Sequence, residues 1–171
     1  FSNGNLTGTV EESGTGDITE FSEIETLVLS NNDDTYDSTA VGAVTVEGLQ
    51  GDDAITTGSG NDTIYGGNVN TSTGGATGSG NDTISSGAGD DYVYAGDGAD
   101  LLIVGTGNDS IRGQAGNDTF QLEDNFAQDT LSGDGGNDII DASNLTAHGI
   151  DVFFSNSNDG TISDQTNASG E

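Results

Sequence analysis

The sequence has no cysteine, no lysine and a single arginine, Arg112, among 171 residues. Without cysteine there is no disulfide framework and no thiol chemistry. One cation against 22 Asp and 8 Glu leaves a formal charge of −29. That charge excludes a nucleic-acid partner, because nothing can neutralise phosphates. No apolar run approaches the roughly 18 residues of a membrane span, so membrane insertion is not expected. Apolar residues make up 30% of the chain, well below the roughly 45–50% usual in globular proteins. Such a composition ordinarily reads as disorder, since too little apolar surface is available to offset chain entropy. The sequence opens on Phe1 without a basic-then-apolar leader, which reads as a fragment or a processed product. What a surface of this kind attracts is cations.

Glycine and aspartate, by contrast, are abundant and regularly spaced. Nonapeptides of the form G-G-x-G-x-D-x-U-x, with U a large apolar residue, begin at Gly48, Thr57, Thr77, Ser86, Ala95, Val104, Gly113 and Gly133. Their sixth position is always Asp: Asp53, Asp62, Asp82, Asp91, Asp100, Asp109, Asp118 and Asp138. Their eighth is always apolar: Ile55, Ile64, Ile84, Val93, Leu102, Ile111, Phe120 and Ile140. The fourth is always Gly. Each part has a physical role. Glycine permits tight turns through positive φ and brings carbonyl oxygens close to a centre. Asp adds a carboxylate, and a hard cation such as Ca²⁺ takes six to eight such oxygens. The eighth residue sits on a short strand with its side chain inward. One nonapeptide buries too little to stand alone, but stacked copies share their apolar rows.

Over residues 48 to 141 the chain resembles the RTX family, the glycine- and aspartate-rich repeats of secreted bacterial proteins. The resemblance implies an all-β, right-handed parallel β-roll with two nonapeptides per turn and Ca²⁺ between loops stacked on the same edge. It implies that the eight sixth-position Asp residues are metal ligands. It also implies backbone carbonyl ligands, for which Gly58, Gly60, Gly78, Gly80, Gly87, Gly89, Gly96, Gly98, Gly105, Gly107, Gly116 and Gly136 are candidates. Family members are exported unfolded, usually by type I secretion, and fold on meeting extracellular calcium. A secreted or cell-surface location follows as an expectation.

Copies two apart should share an edge of the roll. Alternation then puts the loops starting at 57, 77, 95, 113 and 133 on one edge and those at 48, 66, 86, 104 and 122 on the other. Residues 66–76 and 122–132 are eleven long and enter this count as damaged copies. The first has no Asp; the second retains Asp124 and Asp129, with Asp129-Thr130-Leu131 echoing the end of the motif. This phase pairs Asp62 with Asp82, Asp82 with Asp100, Asp100 with Asp118 and Asp118 with Asp138. It leaves only Asp91 with Asp109 on the other edge. At least five calcium ions are expected, with Asp34, Asp124 and Asp129 as further irregular sites.

The flanks, 1–47 and 142–171, read as poorer coils or strands of the same kind. Asp34 and Tyr36 take the aspartate and apolar places in the first, and a strand, turn and strand follow Gly149. Phe154-Ser155-Asn156 and Gly160-Thr161-Ile162 echo Phe1-Ser2-Asn3 and Gly8-Thr9-Val10, which suits one unit of a tandem array. No helical periodicity is present. His148 has no nucleophile arranged beside it in sequence and reads as a surface residue. Tyr65, Tyr92 and Tyr94 read as a cap on a solenoid face, or as a sugar-stacking platform. The expected function is a non-enzymatic calcium-dependent structural module. It would serve as a spacer, an adhesin segment, or a subunit of an extracellular fibre whose copies join end to end. The alternative is the non-catalytic C-terminal domain of a secreted enzyme or toxin.

Overall fold

A period of nine leaves three residues of each copy for a strand and six for a turn. One sheet of the roll keeps this division, with strands of three or four residues, whereas most strands of the other run to between five and eight. A computed structural model describes residues 6–11, 18–38, 42–70, 75–124, 127–146, 150–156 and 159–164. In chain order the strands are β1 (Leu6–Glu11), β2 (Ile18–Ile24), β3 (Thr26–Val28), β4 (Thr35–Asp37), β5 (Thr45–Leu49) and β6 (Ala54–Thr56). There follow β7 (Thr63–Asn70), β8 (Gly75–Thr77), β9 (Thr83–Ser85), β10 (Tyr92–Asp97), β11 (Leu101–Val104) and β12 (Ser110–Ala115). The last are β13 (Thr119–Leu122), β14 (Thr130–Gly135), β15 (Ile139–Asp141), β16 (Ile150–Asn156) and β17 (Asp159–Asp164). The described residues contain no helix.

Two parallel sheets make the roll. The first runs β3-β5-β7-β10-β12-β14 and the second β4-β6-β9-β11-β13-β15, so the chain alternates between them through about six turns. The pairing sets like residues above one another. Leu27, Val46, Ile64, Val93, Ile111 and Leu131 stack in the first sheet. Tyr36, Ile55, Ile84, Leu102, Phe120 and Ile140 stack in the second. These rows face each other and, with Val44, Ala95, Val104 and Leu122, form the core. It thins at the C-terminal end, where Ile139 and Ile140 are 58% and 41% exposed.

The flanks only partly continue the roll. β3, β4 and β5 belong to it, whereas β1 pairs antiparallel with β2, and β16 with β17. The echo between the two ends involves Phe1-Ser2-Asn3, which, like His148, lies outside the described residues.

The phase expected from alternation is wrong at one place. Asp62 does not stack on Asp82; Asp53 does, 29 residues away, and Asp62 stacks on Asp91 instead. The cause is the run 66–76. Instead of forming a damaged half-turn, β7 continues to Asn70 and returns as β8 in an antiparallel hairpin, with Asn68 opposite Thr77 and Asn70 opposite Gly75. The hairpin leaves the roll and rejoins it on the same edge. The other eleven-residue run behaves as a half-turn: β14 stacks on β12, with Leu131 on Ile111. Asp53, Asp82, Asp100, Asp118 and Asp138 therefore line one edge, and Asp62, Asp91, Asp109 and Asp129 the other. The second edge has three stacked pairs, not one.

This topology can be tested by deletion. Gly67 lies in register with Leu49, the second position of its motif. Removing residues 68–78 joins Gly67 to Ser79 and spells Gly66-Gly67-Ser79-Gly80-Asn81-Asp82, an unbroken motif. The shortened chain should keep its calcium-loaded circular dichroism spectrum and melt within a few degrees of the parent. Loss of the β signal would show that the run is a structural half-turn.

Candidate metal centre

The turns between the sheets carry the acidic chemistry. On the first edge each sixth-position Asp reaches back to the preceding coil with one carboxylate oxygen. The N–H of Asp34 donates to Asp53 Oδ1 at 2.8 Å, that of Asp53 to Asp82 Oδ1 at 2.9 Å, and that of Asp82 to Asp100 Oδ1 at 2.8 Å. Asp118 and Asp138 extend the row, each accepting from the coil before at 3.0 Å. On the second edge Asp62 accepts from Val44 at 2.9 Å, Asp91 from Asp62 at 2.8 Å, and Asp109 and Asp129 continue at 2.9 Å.

The other oxygen is left over. Oδ2 of Asp53, Asp62, Asp91, Asp100, Asp109, Asp118 and Asp129 is buried without a hydrogen-bond partner. The one basic side chain cannot help, since Arg112 lies on the surface, 3.6 Å from Asp134. A buried, unpaired carboxylate is costly, and here the cost recurs along both edges. The residues fit a hard dication, which takes carboxylate and carbonyl oxygens together. Among the described residues no three acidic or histidine side chains converge on one point, so backbone carbonyls must complete any coordination sphere. The fourth-position glycines supply candidates. A methyl group on Gly98, Gly116 or Gly136 would land against the carbonyl oxygen of Gly80, Gly98 or Gly116 in the coil before, so only glycine lets these carbonyls project into the gap. Among the described residues they accept none of the backbone hydrogen bonds between coils. The second-position carbonyls of Gly58, Gly78 and Gly87 already accept the N–H of Ala88, Asp97 and Thr106.

A second ladder, which the motif reading gave no role, runs beside the first. Fifth-position oxygens accept N–H groups from the following coil: Asp33 from Asp52 at 3.0 Å, Asp52 from Asn81 at 2.7 Å, Asn81 from Ala99 at 2.8 Å. On the other edge Asn61 accepts from Asp90 at 3.0 Å and Asp90 from Asn108 at 2.8 Å. The inner ladder reaches back and the outer reaches forward, so each pair of coils is clamped in both directions. The signal was present, because seven of the eight copies have Asn or Asp at position five, Ala99 being the exception.

The irregular candidates separate. Asp129 joins the ladder and has an unpaired Oδ2 like the others. Asp34 is closed by its own turn, Oδ2 accepting from Ser30 N–H at 2.7 Å and Ser30 Oγ at 2.9 Å. Both oxygens of Asp124 are taken by Thr146, which ties the chain after β15 to the loop after β13. Tyr65 and Tyr94 stack on each other with centroids 5.4 Å apart and planes 9° from parallel, and Tyr92, two residues before Tyr94 on the same strand, is exposed.

Burial pushes the carboxyls of Asp53, Asp62, Asp82, Asp91, Asp100, Asp109, Asp118 and Asp129 above their ordinary range. Asp91 and Asp100 rise to about 7 and Asp53, Asp82 and Asp129 to about 6. Desolvation is the main cause, opposed by the backbone N–H each accepts and reinforced, most clearly at Asp91 and Asp100, by neighbouring carboxylates. Folding without metal therefore takes up protons between the unfolded value near 3.8 and the folded values near 6 to 7. Stability of the metal-free fold falls as pH rises through that window. In calcium-free buffer the far-UV β signal should grow on acidification from pH 8 to 5; a constant or falling signal would contradict it. A separate substitution tests the outer ladder. The methyl of Ala99 cannot accept the N–H of Asn117 in the following coil. Ala99→Asn should supply that rung and raise stability in saturating calcium by about 0.5–1.5 kcal/mol, measured by denaturant unfolding.

The family model for the RTX calcium-binding nonapeptide repeat matches four times, at residues 45–71, 76–102, 94–125 and 121–144, together more than half of the chain. The matched segments span the rows of buried carboxylates on both edges. The curated proteins and the solved structures give no match. Repeats of this family bind Ca²⁺ and occur in secreted bacterial proteins, as structural modules that are typically non-catalytic. The nonapeptide period, the parallel roll it builds and the family match together make this chain a member of the RTX calcium-binding nonapeptide repeat family.

Proposed function

We propose that the chain is a secreted or cell-surface calcium-dependent spacer, a rod that is disordered inside the exporting cell and rigid outside it. The observation that carries this reading is the double row of buried Asp Oδ2 atoms without partners. In it, Ca²⁺ lies between stacked coils, held by Asp53, Asp82, Asp100, Asp118 and Asp138 on one edge and Asp62, Asp91, Asp109 and Asp129 on the other. One ion per stacked pair gives four sites and three, within the at least five expected from the sequence. Fourth-position glycine carbonyls complete the spheres.

Seven dications leave the folded rod at about −15 from its formal −29, enough to keep it soluble and extended. A spacer or adhesin segment needs length and stiffness more than a pocket, and the two ladders supply both. Joining of copies end to end would add a coil to the C-terminal face, where Ile139 and Ile140 are exposed.

Calcium titration tests the reading. Cations that bind only the native state contribute their binding free energy to folding. The chain should be disordered in chelator and β-rich in millimolar Ca²⁺, with about seven ions per chain by equilibrium dialysis. Magnesium should substitute poorly, because it demands tight octahedral geometry and gives up water reluctantly. Identical far-UV spectra in chelator and calcium would overturn the proposal.

A further inference from the structure

Three of the four tyrosines share one outer surface of the roll. Val93 is 1% exposed and points into the core, so Tyr92 and Tyr94 on either side of it point outward from the first sheet. Tyr65 lies in register with Tyr94 and stacks on its ring. Tyr92 lies between Thr63 and Ser110 of the neighbouring strands. Along the sheet the outward row reads Glu47, Tyr65, Tyr94, Arg112. The outward positions of the second sheet carry no aromatic residue at all.

Mutual stacking accounts for Tyr65 and Tyr94, but not for Tyr92. It is 55% exposed where both neighbouring strands place a small hydroxyl, so its ring adds nothing to the core. Exposed tyrosine is characteristic of recognition surfaces, since it pairs an apolar ring with a polar tip. The charge of this surface narrows what it recognises. Glu47 and Arg112 cancel, and the other outward residues of β3, β5, β7, β10, β12 and β14 that pair across the sheet are threonine, serine, Val28 and the tyrosines. The surface is thus neutral in a chain of formal charge −29. The acids lie on the turns along both edges, where they repel anions and draw cations away from the sheet. A neutral, hydroxyl-rich ligand is indifferent to that field. From Glu47 to Arg112 the row crosses three strand spacings, about 14 Å, the length of a short run of linked sugars.

We propose that this surface, centred on Tyr92 and the Tyr65–Tyr94 pair, binds an uncharged polysaccharide. The C–H faces of the sugar rings lie on the tyrosines, and Glu47 and Arg112 hydrogen-bond to hydroxyls at either end. Arg112 touches Asp134 through one nitrogen, which leaves other guanidinium donors for the ligand. None of the buried carboxylates takes part, so the site is separate from the metal rows. A rod with this flank holds glycan along its side as well as setting a distance.

A printed array of neutral and anionic glycans, probed with the full chain in millimolar calcium, provides the test. The chain should bind neutral glycans and pass over the anionic ones. Binding should follow the far-UV β signal, whichever cation supports the fold. On the best neutral glycan, Tyr92→Ser should weaken affinity about tenfold with the β signal unchanged, while Tyr92→Phe should keep it. The chain has no tryptophan, so its fluorescence reports tyrosine, and the same glycan should shield the wild type from quenching by acrylamide. Failure to bind any neutral glycan, or binding of anionic glycans alone, would overturn the proposal. So would a neutral glycan that binds Tyr92→Ser as tightly as the wild type and leaves tyrosine unshielded.

Discussion

Everything in this roll depends on stacking buried carboxylates at the spacing of neighbouring strands, about 4.8 Å. Like charges about 5 Å apart repel by roughly 3 kcal/mol at an effective dielectric of about 20, and each edge repeats that repulsion coil after coil. The Asp side chains cannot simply turn outward, because Oδ1 caps an N–H of the adjacent coil that would otherwise be unpaired. The same side chain thus joins the coils and charges the gap between them. Protons relieve the charge in acid, and a dication bound as proposed would relieve it at neutral pH.

The apolar core is too narrow to hold the roll by itself. It amounts to two facing rows, one large residue per strand, plus a few neighbours. Nothing in it excludes an expanded chain unless the turns are clamped. The clamps are the two polar ladders, running in opposite directions on each edge. The ends are finished differently. At the N-terminal end Ser30 closes Asp34, and Val44 and Val46 are buried. At the C-terminal end Leu145 packs on the core and Thr146 binds Asp124, yet Ile139 and Ile140 stay exposed.

Two eleven-residue insertions show how register is decided. Residues 122–132 keep Asp129 and Leu131, so they still offer an oxygen to the ladder and a side chain to the row, and the extra length is absorbed in the turn. Residues 66–76 offer no Asp. With nothing to place on the edge, that segment satisfies its backbone locally in an antiparallel hairpin and returns the chain where it left.

The sequence by itself determined the parallel roll, the inward rows, the eight ladder aspartates and the affinity for hard cations. All of these follow from a local period that each copy states for itself. What only the tertiary structure decided was which aspartates stack. Asp53 and Asp62 exchange edges because a hairpin and a half-turn of equal length look alike until the pairing of β7 with β8 is seen. The fates of Asp34 and Asp124 were likewise hidden. Their partners (Ser30 and Thr146) are set by how the ends of the roll close, which no repeat encodes.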